Sequence, residues 1–156
     1  MTLLDTWDDP AAVPQAAAAG AAVVRLPLLD ELLLQWPHVA GLLHRATVRT
    51  GCYEPIDLLK LAMEGQVGIW FCEVEGAVEA AIVTEVKVYP RRRVLEILFA
   101  GGGGMRHWRH AMVETLDAHA RQTGCSHVAG IGRPGWARVW GGEATGDIVV
   151  VRGLRT

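Results

Sequence analysis

Several features that would place a chain quickly are scarce or missing here. There are three cysteines, Cys52, Cys72 and Cys125, an odd number at wide spacings with no C-x-x-C pair. That argues against a disulfide framework and for a reducing compartment. Neither sign of charge dominates: the formal net charge is −2, which lacks both the basic field of a nucleic-acid binder and the acidity of a solvating tail. The apolar stretch Ala16 to Val24 is too short to span a membrane, and Asp5, Asp8 and Asp9 stand before it where a signal peptide would carry basic residues. Lysine is nearly absent, with only Lys60 and Lys87 among fifteen basic residues. With the abundance of alanine and glycine, that bias points to a GC-rich source and says little about chemistry. The expectation is a soluble cytoplasmic protein, or one enclosed in an assembly built there, with no nucleic-acid and no membrane partner.

What is present suits one domain. The 156 residues, 51% hydrophobic and 21% charged, are enough to bury a continuous core. Residues 1–20 carry Pro10, Pro14 and a run of alanines without a pattern that would bury a face, and are expected to form a flexible arm. Residues 21–156 are expected to form the single domain.

Periodicity gives the elements. Ala21 to Leu26 reads as a strand stopped by Pro27, and Leu28 to Ala46 as two helical pieces broken at Pro37. Glu54-Pro55 opens a helix over Ile56 to Met63 that Gly65 ends. Val67 to Val74 reads as a buried strand, Glu75-Gly76 as a tight hairpin turn, and Ala77 to Val88 as a strand that alternates from Glu79 onward, with one face in the core and one at least partly wet. Val94 to Ala100 is apolar on both faces except for Glu96, as in the middle of a sheet. Met105, Trp108, Met112, Leu116 and Ala120 mark a helix over Met105 to Gln122 that ends at Gly124. Ser126 to Ile131 reads as a strand, Pro134 to Trp140 as a short helix or turn, and Asp147 to Val151 as a last strand.

Between the buried strand and the long helix stand four glycines, Gly101 to Gly104. A strand passing through glycines into a helix start leaves backbone N–H groups unpaired where the helix dipole favours an anion. A permissive turn with a bulged strand end is the plain alternative. The run fits neither a dinucleotide fingerprint, which needs a third glycine where Arg106 stands, nor a P-loop, which needs Gly-Lys-Ser/Thr where Gly104 is followed by Met105. Kinase, GTPase and NAD-dependent functions drop out. His107 and His110 have no third ligand at a recognised spacing and read as surface histidines, so no metal is expected. Cys52 beside Tyr53 has no evident neighbouring base and reads as a small buried thiol. Arg91, Arg92 and Arg93 read as a solvated turn, or as a contact for an acidic group.

From Val67 onward the order of elements resembles the GNAT superfamily of acyl-CoA-dependent N-acetyltransferases. The Glu54-Pro55 helix, Gly68-Ile69-Trp70, Ile82-Val83-Thr84, Gly124-Cys125 and Gly132-Arg133-Pro134-Gly135-Trp136-Ala137-Arg138 resemble, more narrowly, GNAT-like proteins encoded by tailed phages and prophages. The resemblance covers about residues 54–142. It implies an α/β (α+β) fold of three layers, with a central mixed, mostly antiparallel twisted sheet flanked by helices, and a fourth and fifth strand that splay apart. It implies acetyl-CoA (coenzyme A) as cofactor and direct acetyl transfer to an amine. The pyrophosphate would be held by Gly101, Gly102, Gly103, Gly104, Met105 and Arg106, and the thioester carbonyl polarised by backbone N–H groups near Leu98, Phe99 and Ala100. Glu96, the lone carboxylate of its strand, would be the general base, its pKa raised if buried; a wet carboxylate, or one paired with an arginine of the 91–93 run, is the alternative. Tyr53 and Trp136 would face the substrate. Two departures stand out. Ile97 and Leu98 occupy the approach where the superfamily turn has arginine or glutamine, and Trp136 and Trp140 stand where members often have an acid tyrosine. The rival expectation is therefore a GNAT fold without catalysis, acting through contacts with phage structural proteins.

Overall fold

The computed structural model describes residues 22–131, 143–145 and 149–154. The arm of residues 1–20, the element expected over Pro134 to Trp140, and Trp136 itself lie outside them.

In chain order the elements are β1 (Ala22–Arg25), α1 (Leu29–Thr50), α2 (Pro55–Met63), β2 (Gly68–Val74), β3 (Ala77–Val88), β4 (Arg93–Gly102), α3 (Met105–Gln122), β5 (His127–Ile131), β6 (Glu143–Thr145) and β7 (Val149–Gly153). The strands form one sheet in the order β1-β2-β3-β4-β5-β7-β6. Among the described residues only β4 and β5 pair in parallel; every other pair is antiparallel. A parallel pair needs a crossover, and α3 supplies it.

The sheet separates two apolar clusters. On one side Trp70, Cys72, Ala80, Ile82, Leu95 and Ile97 pack with Met105, Trp108, Met112 and Leu116 of α3. On the other, Ile69, Phe71, Ala81, Val83 and Phe99 pack with Leu32, Val39, Leu43 and Ala46 of α1 and Leu58 and Leu59 of α2. This is the expected three-layer mixed fold, with β4 in the middle of the sheet.

Three details depart from expectation. Pro37 does not break α1, which runs unbroken from Leu29 to Thr50. The carbonyl that Pro37 leaves without a helical donor is that of Leu33, and both residues lie on the exposed side, within reach of solvent. β3 does not alternate from Glu79. Ala80 to Thr84 are buried on both faces, because α1 and α3 cover both sides of the sheet there. A further strand, β6, precedes the last one, which itself runs over Val149–Gly153 rather than Asp147 to Val151.

Arg25 fastens β1 to this frame. Its guanidinium meets Glu73 of β2 at 2.5 Å and Glu31 of α1 at 2.7 Å, and lies 5.7 Å from the Phe71 ring centre. Glu31 in turn accepts the Leu28 N–H at 3.1 Å, closing the start of α1.

Candidate functional site

The site is set up by one irregularity in β4. Against β3, Ile97 stands opposite Thr84 and Phe99 opposite Val83, which leaves Leu98 as an extra residue. A bulge of this kind bends and twists its strand. On the other edge, parallel pairing with β5 runs from Val94↔His127 to Ile97↔Gly130 and stops there. Leu98 to Gly102 therefore keep β3 as a neighbour and have no ladder to β5. β5 itself ends at Ile131, one residue past the last pair, so among the described residues the β5 edge of Leu98 to Ala100 has no strand partner.

The glycines carry β4 into α3. Gly101 and Gly102 are still strand residues, paired with Ala81 and Ala80. Gly103 donates its N–H to the Glu79 carbonyl at 3.1 Å, and its own carbonyl accepts Nε1–H of the buried Trp108 at 2.9 Å. Gly104 caps α3 in the left-handed region, φ 68°. His107 returns its N–H to the Gly104 carbonyl at 2.9 Å. The N–H groups of Gly104, Met105 and Arg106 meet no protein acceptor among the described residues, and the first turn of α3 holds no acidic residue. A helix start with free donors and a positive dipole end attracts an anion. Arg106 is exposed, its Nε 3.4 Å from Nε2 of His107.

Glu96 lies on β4 two residues before the bulge. Leu95 and Ile97 belong to the α3 cluster, so alternation sends Glu96 to the side of α1 and α2. It is half-buried rather than buried, and its partner is Tyr89, which donates its O–H at 2.7 Å. Neither the buried form nor the arginine pairing is found among the described residues. The hydrogen bond to Glu96 is the first reason that the Tyr89 phenol is held above its usual pKa, with burial and the charges of Glu96 and Glu85 adding to it. Glu85 sits opposite Glu96 in the register and meets Lys87 at 3.4 Å. Tyr53 is brought edge-on to Phe99 with ring centres 5.6 Å apart. The chain's two tyrosines thus both lean on β4, one on each side of the bulge along the strand. Tyr89 was missed in the sequence because its place beside Glu96 depends on how the β3–β4 turn folds back.

Other residues singled out in the sequence lie as follows. Cys52 is exposed, not buried, because it follows Gly51 in the α1–α2 connection. Arg91 to Arg93 are exposed at the first end of β4, about 30 Å along the strand from the glycine turn at 3.3 Å per residue. That distance leaves them a solvated turn. His110 is a surface group facing Glu114 at 3.1 Å, whereas His119 is half-buried edge-on to Trp70, and burial lowers its pKa. Among the described residues no cluster of histidine, cysteine or carboxylate could hold a metal, and no helix is long and apolar enough to cross a membrane.

No family model matches the chain, and no curated protein matches it in sequence. Solved structures do match its fold. A GNAT family acetyltransferase from Brucella melitensis in complex with acetyl-CoA is 12% identical, with a TM-score of 0.61 over 86% of this chain and 89% of that one. An agmatine N-acetyltransferase is 14% identical, with a TM-score of 0.61 over 86% and 100%. The polyamine N-acetyltransferase of Drosophila melanogaster is 12% identical, with a TM-score of 0.57 over 85% and 100%. The fold is the GNAT acetyltransferase fold.

Proposed function

We propose that a chain with this fold and this bulged β4 is an acyl-CoA-dependent N-acyltransferase that moves an acetyl group directly to an amine. The observation that carries the reading is the single path along β4: a bulge at Leu98, past the last pair with β5, that leads to a glycine-led helix start whose Gly104, Met105 and Arg106 N–H groups meet no protein acceptor among the described residues. From Glu96 to Gly103 that path is about 20 Å long, suited to an elongated cofactor with an anionic end and a reactive end. The residues present fit coenzyme A through backbone donors. The arginine or glutamine of the superfamily turn is replaced by Ile97 and Leu98, so the fit rests on main chain alone.

Acetyl-CoA, when bound, supplies an activated acyl thioester. Gly101 to Gly104, Met105 and Arg106 would hold its pyrophosphate. Backbone N–H groups among Leu98, Phe99 and Ala100 would donate to the thioester oxygen, where charge develops. Glu96, or water it orders, would take the proton of the acceptor amine, with coenzyme A leaving as its thiolate. Tyr89 fixes the rotamer of Glu96, and Glu85 beside it adds negative charge that draws an ammonium toward the strand. Tyr53 borders the acceptor, and Trp136 joins it in this assignment. The acceptor is a small amine, a class that agmatine and polyamine acetyltransferases of the same fold share. The affiliation with tailed phages and prophages rests on the short strings quoted above, and location in the bacterial cytoplasm goes with it.

A second reading keeps the fold without the chemistry, as a virion or accessory protein. The bare approach to the glycines and the exposed Leu28 (74%), just before α1, and Leu34 (82%) on its N-terminal half favour it. Titration with acetyl-CoA separates the two. At a hundredfold excess over Kd a ligand of the folded state adds about 2.7 kcal/mol of stability, seen as a rise in Tm. No shift at millimolar acetyl-CoA would sink the enzyme reading. With binding established, Glu96→Gln should slow turnover while keeping the thermal shift, and unchanged turnover would remove Glu96 from the mechanism.

A further inference from the structure

Resting on the acyltransferase reading, we propose that Glu79 is a built-in competitor for the coenzyme's pyrophosphate, a carboxylate held beside the start of α3 that must swing aside when the anion docks. Glu79 lies on β3, next to the end of β4, and both its main chain and its side chain meet the glycine turn. Its carbonyl accepts the Gly103 N–H at 3.1 Å. Its carboxylate oxygen Oε2 stands 2.5 Å from the point that a Cβ on Gly104 would occupy, and the His107 ring flanks the same point at 3.7 Å. The main chain of Glu79 therefore builds the turn, and its side chain covers it.

Packing does not force the carboxylate there. Glu79 is exposed and makes no ion pair among the described residues. It accepts no hydrogen bond from the helix start, but that end has no acidic residue in its own first turn and a glycine as its cap, and its dipole favours a negative charge nearby. The missing Cβ of Gly104 leaves the space that the carboxylate fills. A pyrophosphate brought to the N–H groups of Gly104, Met105 and Arg106 meets a like charge within a few ångströms and is repelled. The fold thus sets a threshold on anion binding where the superfamily's basic flanking side chain would lower one.

The test compares acetyl-CoA dissociation constants for the wild-type full chain, Glu79→Gln and Glu79→Ala by calorimetry, with inorganic pyrophosphate as a second probe. Glu79→Gln keeps the shape and removes the charge, and it should tighten acetyl-CoA about three- to tenfold, tighten pyrophosphate in the same sense, and lose most of that gain in 1 M salt. Binding by the variants but not by the wild type would support the proposal most strongly. Equal affinity in all three proteins would overturn it and leave the acyltransferase reading standing. Tightening in Glu79→Ala without tightening in Glu79→Gln would also overturn it, since bulk and not charge would then be the obstacle. No binding by any of the three would overturn both.

Discussion

At Gly101 the side chain that is missing decides the fold. β4 passes so close to α1 that a Cβ there would overlap the Leu42 carbonyl oxygen and lie 2.9 Å from its carbon and 3.2 Å from Leu43 Cα. These are backbone atoms of a packed helix and cannot rotate away. Gly101→Ala should therefore cost about 3 kcal/mol or more, read as a lower urea midpoint; a loss below 1 kcal/mol would mean that α1 shifts freely. Gly101 belongs to packing, and Gly103 and Gly104 to the turn, a division invisible in a run of four identical letters. Charge gives a second prediction at this scale. The Arg25 guanidinium, followed by the Leu28 N–H, lowers the pKa of Glu31 from 4.5 to about 2. A carboxylate whose pKa is depressed by folding adds stability that is fully present above pH 4.5 and lost as pH falls toward 2. Glu31→Gln should lower the melting temperature at pH 7 and match the wild type near pH 2. A constant difference across that range would show that packing, not ionisation, is responsible.

At the scale of elements, the sequence shows order and type well and neighbours poorly. Apolar spacing in α3, the Glu75-Gly76 turn and the both-face burial of β4 are local patterns, and all three stand in the structure. The Leu98 bulge, the approach of Glu79 to Gly104 and the pairing of Tyr89 with Glu96 are products of strand register, which no local pattern records. Pro37 misled because its ring and missing N–H were weighed without the exposure of Leu33 beside it. Tertiary packing of Leu32, Val39, Leu43 and Ala46 carries α1 through the defect. The proline still removes one helical hydrogen bond. Pro37→Ala should stabilise the protein by about 1 to 2 kcal/mol, the helix gain less the loss of a stiffer unfolded chain. Thermal melts measure it, and an unchanged or lower Tm would show that the defect costs nothing in place.

At the scale of the whole molecule, two places among the described residues compete as the one where a ligand acts. One is the end of β4 beyond its last pair with β5, leading into the glycine turn. The other is a cleft of about 730 Å³ bounded by Leu26, Ala62, Val67, Thr84, Arg93 and His119, at the opposite end of β4. Its walls include Leu29 and Leu32 of the first turn of α1, but that turn carries Asp30 and Glu31, which disfavour a second anion. The first turn of α3 has no acidic residue, and among the described residues the N–H groups of Gly104 to Arg106 meet no protein acceptor. Hydrogen exchange can locate the ligand without presuming any residue's role. Addition of acetyl-CoA should slow exchange in peptides covering 98–106, most at Gly104 to Arg106, because the amides of Gly103 and His107 are already bonded to Glu79 and Gly104. Peptides covering 62–69 and 119–123 should stay unchanged. Protection confined to those two segments would move the coenzyme to the cleft and separate the fold from the site that its relatives in shape suggest.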